Sequence, residues 1–230
     1  MRKIKMTRLS TYIIFCTGIL LIFAGGCGVK DPGTVTDIDG NVYKTIKIGK
    51  QVWMVENLKV TRYRNGDTIP NITDAKEWGN QKTGAYCNYD NNDTNAAVYG
   101  RLYNWFAVKD RRNIAPKGWH VPSFEELRLL IDYLGGEDVA AGKMKEAGLE
   151  HWLIPNSGAT NESGFTALPG GYRFNHNGEF YTMGSNGYWW TTTLSYEMYA
   201  WSPRLFLRFA NVTRDHTYMT YGFSVRCVKN

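Results

Sequence analysis

The 230 residues include only four cysteines, four histidines and seven prolines, and the patterns that would give them chemistry are missing. His120, His151, His176 and His216 are each more than 20 residues from the next. No HExxH, CxxC or paired Cys and His spacing occurs, so the chain carries no local zinc signature. It also lacks a GxSxG elbow, and neither Cys87 nor Cys227 sits in a nucleophile context, which removes the common hydrolase signatures. The absence of GxGxxG and of a P-loop removes the usual dinucleotide and nucleotide phosphate cradles. There is no internal repeat, and the longest apolar stretch falls short of the roughly 20 residues that span a bilayer.

Charge of one sign is also scarce once the first residues are set aside. Four of the 27 Lys and Arg, and none of the 21 Asp and Glu, lie within residues 1–26, leaving 23 basic against 21 acidic side chains. A body so nearly neutral has no electrostatic footprint for nucleic acid, and none is expected as a partner.

What is present begins with an address. Arg2, Lys3, Lys5 and Arg8 form a basic start, Tyr12 to Phe23 an apolar run, and Ala24, Gly25 and Gly26 a small-residue cleavage site before Cys27. This segment resembles a lipobox, the bacterial lipoprotein signal, which implies lipid attachment at the Cys27 sulfur and removal of residues 1–26. An uncleaved N-terminal anchor is the alternative. Residues 27–33 form a short lipidated tether, and a single domain is expected over 34–230.

With Cys16 in the leader and Cys27 lipidated, only Cys87 and Cys227 remain in the body. An exported chain can pair them, and closing so long a loop contributes roughly 4 to 5 kcal/mol on a chain-entropy view. Two separate thiols are the competing state.

Residues 34–58 alternate apolar and polar side chains about turns at Asp39-Gly40 and Gly49-Lys50, predicting a β-meander, and Asn65-Gly66 marks a further turn. Tyr99, Leu102, Trp105 and Phe106 fall at helical spacing. A second helix is better marked: Ser123 and Glu126 form a capping box, Leu127, Leu130, Ile131 and Leu134 share a face, and Gly135-Gly136 ends it. A third is expected from Asp138 to Ala147. Strands are then predicted at 165–168, 172–174, 188–193, 205–209 and 223–228. Strands, then helices, then strands argue for an α+β fold.

Two groups of residues are candidates for binding. The loop containing Asp90, Asn92 and Asp93 concentrates oxygens suited to Ca²⁺, the one cofactor considered, although an Asx-rich turn explains the same residues. Glu125 and Glu126 adjoin a helix start and complement its dipole there. Among the aromatics, Trp189, Trp190 and Trp201 are candidate ligand contacts, because one of two adjacent strand residues must face outward when the strand is regular. Core packing is the competing role for every tryptophan.

Seven strings in order complete the reading: DIDGNVYKTIKIGKQVWMVENLKV (37–60), GAYCNYDNND (84–93), YGRLYNWFAV (99–108), APKGWHVPSFEEL (115–127), GFTALPGGYR (164–173), GYWWTTT (187–193) and GFSVRCVKN (222–230). They resemble the Fibrobacter succinogenes major paralogous domain of secreted and lipid-anchored bacterial proteins. Members of that family often carry cysteine where Ala115 stands here, so the resemblance implies one partner fewer and favours pairing of Cys87 with Cys227. WHVPSFEEL and GFSVRC also look like segments of the formylglycine-generating sulfatase-modifying group. That likeness implies a C-type lectin-like fold, with a twisted antiparallel sheet, two or three helices and long loops; that group's catalytic cysteines have no counterparts here.

The expected function is therefore a membrane-anchored, non-enzymatic binding or adhesion module for glycans or proteins. A structural accessory subunit of a surface appendage, or less directly a polysaccharide-active enzyme, stands as the alternative. Gly28 after Cys27 implies sorting to the outer membrane, facing the periplasm or the exterior. Lys30-Asp31 and Asp67-Thr68-Ile69 resemble export and O-glycosylation patterns of Bacteroidota.

Overall fold

The hairpin that opens the described chain shows how side-chain alternation becomes architecture. Strand β1 (Thr34–Thr36) pairs antiparallel with β2 (Val42–Ile48), which pairs with β3 (Gln51–Met54) around Gly49. In β2, Tyr43 and Thr45 are buried while Val42 and Lys44 face water, the period-2 pattern of a half-buried strand, and the parity reverses at exposed Lys47 and buried Ile48 before the turn. The computed structural model describes residues 33–230; the leader, Cys27 and the tether as far as residue 32 lie outside the described residues.

Five helices and ten further strands follow in chain order. The middle of the chain holds α1 (Ala75–Gly79), β4 (Tyr86–Cys87), α2 (Asp93–Tyr99), β5 (Leu102–Tyr103), α3 (Trp105–Lys109) and β6 (Trp119–His120). The two better helices come next, α4 (Phe124–Tyr133) and α5 (Glu137–Met144). Residues 145–171 contain no named helix or strand. The last part holds β7 (Tyr172–Arg173), β8 (Phe180–Tyr181), β9 (Asn186–Tyr188), β10 (Leu194–Tyr196), β11 (Tyr199–Phe206), β12 (Thr213–Tyr218) and β13 (Val228–Lys229).

All pairings between these strands are antiparallel. One sheet runs β1-β2-β3-β13-β6, so the first and last strands of the domain share it. A second runs β10-β11-β12, with β9 also paired to β11, and β4-β5 and β7-β8 form two-stranded ribbons. The fold is α+β, as the element order predicts.

Helix α4 forms where expected. Ser123 Oγ accepts from Glu126 N, the Glu126 carboxylate accepts from Ser123 N, and Leu127, Leu130 and Ile131 turn inward. The expected helix over 99–106 is instead broken into α2, β5 and α3. Gly100 ends α2 at φ +79°, and a Cβ there would lie 2.7 Å from Asn57 Cβ. Leu102 and Tyr103 pair with Cys87 and Tyr86, and Tyr103 also bridges Phe223. Long-range backbone pairing thus overrides the local helical spacing of the aromatics.

The buried side chains form three clusters. The first gathers Tyr43, Met54, Tyr103, Trp105, Trp190 and Phe223; the second Trp53, Leu127, Ile131, Trp152, Phe165 and Trp189; the third Ile72, Trp78, Cys87 and Tyr89. Three fully or nearly fully buried cations tie loops to these clusters through backbone carbonyls. Lys145 Nζ donates to the carbonyls of Ser157, Phe206 and Phe209, Arg173 to those of Gly178, Ile72 and Thr73, and Arg226 to that of Phe165 and to Asn57 Oδ1. Buried charge survives where several acceptors replace water.

Candidate functional site

Seven of the eight tryptophans are buried, and Trp201 is the exception. It lies on β11, where strand alternation places Tyr199 and Trp201 on one face and Ala200 and Ser202 on the other. Ala200 and Ser202 are buried, so the Trp201 face looks outward. The register with β12 sets Tyr199 opposite Tyr218 and Trp201 opposite His216. On the other side, β10 sets Tyr196 opposite Tyr199 across an irregularity in the ladder.

The result is a surface of touching rings. Tyr199 and Tyr218 have centroids 4.2 Å apart, Tyr196 and Tyr199 5.0 Å, Tyr196 and His216 5.1 Å, and Trp201 and His216 5.8 Å. Phe124, at the start of α4, stacks on Trp201 at 4.9 Å, and the Arg214 guanidinium lies over Phe124. Tyr196 is 55 % exposed and Tyr218 40 %, too open for core residues. The Tyr196 hydroxyl and His216 Nε2 are 2.8 Å apart, fixing both rings across β10 and β12. Interaction with the Tyr218 hydroxyl pushes the Tyr199 phenol up to about 12, so it stays protonated near neutrality. The face is aromatic, its rings tilted or edge-on to one another, and it is edged with hydroxyls, an imidazole and a guanidinium. Such a surface stacks on apolar ring faces and hydrogen-bonds at their rims.

Sequence reading found Trp201 and missed Tyr196, Tyr199, His216 and Tyr218. The signal was there: Tyr199 and Trp201 alternate with the buried Ala200 and Ser202, and Arg214, His216 and Tyr218 are exposed at every second position of β12. The charged and hydroxylated string Thr213–Tyr218 hides β12 from a search for apolar strands, and the strand expected at 205–209 in fact begins at Tyr199 and ends at Phe206.

The other candidates take different roles. The expectation that Trp189 or Trp190 faces outward is wrong, since both are buried. The alternation holds, but the chain runs between two cores. Trp189 enters the second cluster and Trp190 the first, with their indole N–H groups on Asn57 Oδ1 and the Tyr103 carbonyl. The expected Cys87–Cys227 disulfide is not formed. Both are free buried thiols, Cys87 in the third cluster and Cys227 in the first, where it is joined by Ala115.

In the proposed calcium loop, Asp90 and Asn91 adopt left-handed φ of 53° and 54°. Asn92 accepts from Thr94 N at 2.8 Å to cap α2, and Asp93 Oδ1 accepts from Asn88 Nδ2 at 2.7 Å. The Asx-turn reading therefore describes these residues. Elsewhere, Glu146, Glu150 and His151 place ligand-type atoms within 4.8 Å of one another. His151 Nδ1 lies 2.9 Å from both Glu146 oxygens, an arrangement a plain hydrogen bond accounts for. A void of ≈20 Å³ between Trp53, Trp189 and Arg226 has room for about one water and no ligand. Among the described residues no helix is long and apolar enough to cross a membrane.

Compared with known proteins, the chain matches the family described as the Fibrobacter succinogenes major domain over residues 46–229, and it belongs to that family. No curated protein and no solved structure matches it.

Proposed function

We propose that this member of the Fibrobacter succinogenes major domain family is a non-enzymatic binding module that recognises glycans through the outer face of β10-β11-β12. The observation that carries the reading is the placement of Trp201, the one tryptophan not fully buried, half-buried among the half-buried Tyr199 and Phe124 and the exposed Tyr196, His216 and Tyr218. A pyranose presents an apolar face of C–H groups ringed by hydroxyls. A partly exposed platform of Trp201, Tyr199 and Tyr218, with Tyr196, His216 and Arg214 as polar neighbours, complements both parts. Leu194 and Met198, 47 % and 46 % exposed on the same sheet edge, favour a second reading in which the partner is a surface protein or an appendage subunit.

The reading includes anchorage. Lipid at Cys27, with about 0.8 kcal/mol per buried CH₂, holds the module at a membrane, and the sequence around it favours the outer membrane of a Bacteroidota-type envelope. It also includes a C-type lectin-like arrangement, supported by the antiparallel sheets, helices α4 and α5 and the irregular segment 145–171.

The test uses the full-length chain, extracted in neutral detergent, on a glycan array. Binding is expected, and Trp201→Ala should weaken it at least about tenfold, the effect of losing one stacking anchor. A flat array, or binding indifferent to Trp201→Ala, would sink the glycan reading. Co-purification of an envelope protein lost in the same variant would replace it with the protein-partner reading.

A further inference from the structure

A second surface gathers more positive charge than its ion pairs neutralise. The turn after β1 and the extended segment 59–62 enclose, with Arg101, an open groove of ≈320 Å³ lined by Ile38, Asp39, Asn41, Lys59, Thr61, Arg62 and Arg101. Three of these side chains are cations and one is an anion. The anion is already engaged: Asp39 Oδ2 accepts from the backbone N–H and the hydroxyl of Thr61, and Asp39 Oδ1 lies 3.6 Å from Arg62 Nε.

The cations differ in how they are held. Arg101 donates from Nε to the Lys59 carbonyl at 2.7 Å and from Nη1 to Asn88 Oδ1, and its guanidinium lies over the Tyr86 ring at 4.8 Å. It is thereby fixed, with Nη2 left without an intramolecular partner among the described residues. Lys59 Nζ has no hydrogen bond or ion pair there either, while its backbone is pinned by Lys59 N donating to the Tyr43 hydroxyl and by the bond from Arg101. Arg62 is 54 % exposed along its side chain, and its only ion pair among the described residues is the 3.6 Å one to Asp39. One pre-oriented guanidinium, one unpaired ammonium and one exposed guanidinium thus share a groove with a net excess of two positive charges.

From this we infer that Lys59, Arg62 and Arg101 bind a phosphate ester. A tetrahedral oxyanion offers several acceptors to converging donors, and arginine forks and lysine point charges are the side chains that match it. The phosphate has two possible sources with the same chemistry, a soluble phosphate ester or an anionic lipid headgroup. The second rests on the lipid reading of Cys27: the chain from Cys27 to Asp39 spans at most about 43 Å when extended, which keeps this turn within reach of the bilayer. Neither source depends on the aromatic face.

The experiment reads the groove directly, as acetylation of Lys59 followed by mass spectrometry on the full-length chain, with exposed Lys117 as the internal reference. Inorganic phosphate is added in neutral detergent against chloride at equal ionic strength. The same chain is then compared in phosphatidylglycerol and phosphatidylcholine nanodiscs. Protection of Lys59 by inorganic phosphate assigns a soluble ester, and protection only in phosphatidylglycerol assigns the headgroup. In either case Arg62→Gln should weaken protection about tenfold, the loss of one charge-assisted contact. Equal reactivity of Lys59 in all conditions overturns the proposal, as does protection that Arg62→Gln leaves unchanged. Arg62 makes no core contact, and an unchanged unfolding midpoint of the variant separates lost binding from lost fold.

Discussion

Trp189 and Trp190 are neighbours in sequence whose indoles enter different cores. The N–H of Trp189 meets Asn57 Oδ1 at 2.9 Å, and that of Trp190 meets the carbonyl of Tyr103 at 2.7 Å. The segment carrying them is the partition between the two larger clusters, and both of its faces are dry. Asn57 is the polar centre on one side, because the same Oδ1 accepts from Arg226 Nε at 3.1 Å and Nη2 at 2.7 Å.

Asn57→Ala is accordingly expected to destabilise the domain by about 3 kcal/mol or more, since it strips a buried indole and a buried guanidinium of their shared acceptor. Urea unfolding of the variant against the parent measures this. A loss below about 1 kcal/mol would show that Arg226 is held by the Phe165 carbonyl alone.

Lys145 gives a prediction with a pH signature. Its Nζ donates to the carbonyls of Ser157, Phe209 and Phe206 at 2.9, 3.0 and 3.2 Å, and burial pushes the ammonium down to about 8. The unfolded chain holds that proton up to about 10.4. Between these values the unfolded state binds more protons, so the contribution of Lys145 to stability rises with pH, and it is lost as pH falls through 8. Lys145→Met should cost about 2 to 4 kcal/mol at pH 7, by leaving three buried carbonyls without a donor. The gap between parent and variant should widen from pH 8 to pH 10; a gap that stays constant or narrows would contradict the assignment.

The two free thiols can be counted. Burial pushes Cys87 up to about 12 and raises Cys227 as well, and only the thiolate reacts readily with alkylating reagents. In the native protein at pH 8 neither should react. In denaturant without reductant both should. Recovery of a peptide pair joined through Cys87 and Cys227 would restore the disulfide.

How much of this was legible in sequence follows the range of the interactions. Helix α4 was readable because Ser123, Glu126, Leu127, Leu130 and Ile131 act within two turns, and the β2–β3 hairpin because Gly49 and the alternation of its strands are equally local. The broken helix around Gly100 was not, because the Cβ position that disfavours side chains there is occupied by Asn57, 43 positions earlier.

Cys87 and Cys227 illustrate the same limit: two cysteines imply a possible bond, but their separation is set by which cluster each strand enters. The aromatic residues show it most clearly. Patterning by itself determined an α+β domain rich in rings, and the resemblance of seven strings pointed to its family. Only the tertiary structure decided which rings are core and which are surface. A strand's alternation states that two faces differ, whereas the layers packed against it determine whether either face meets water. For Trp189 and Trp190 both faces are covered, and for Trp201 one is open.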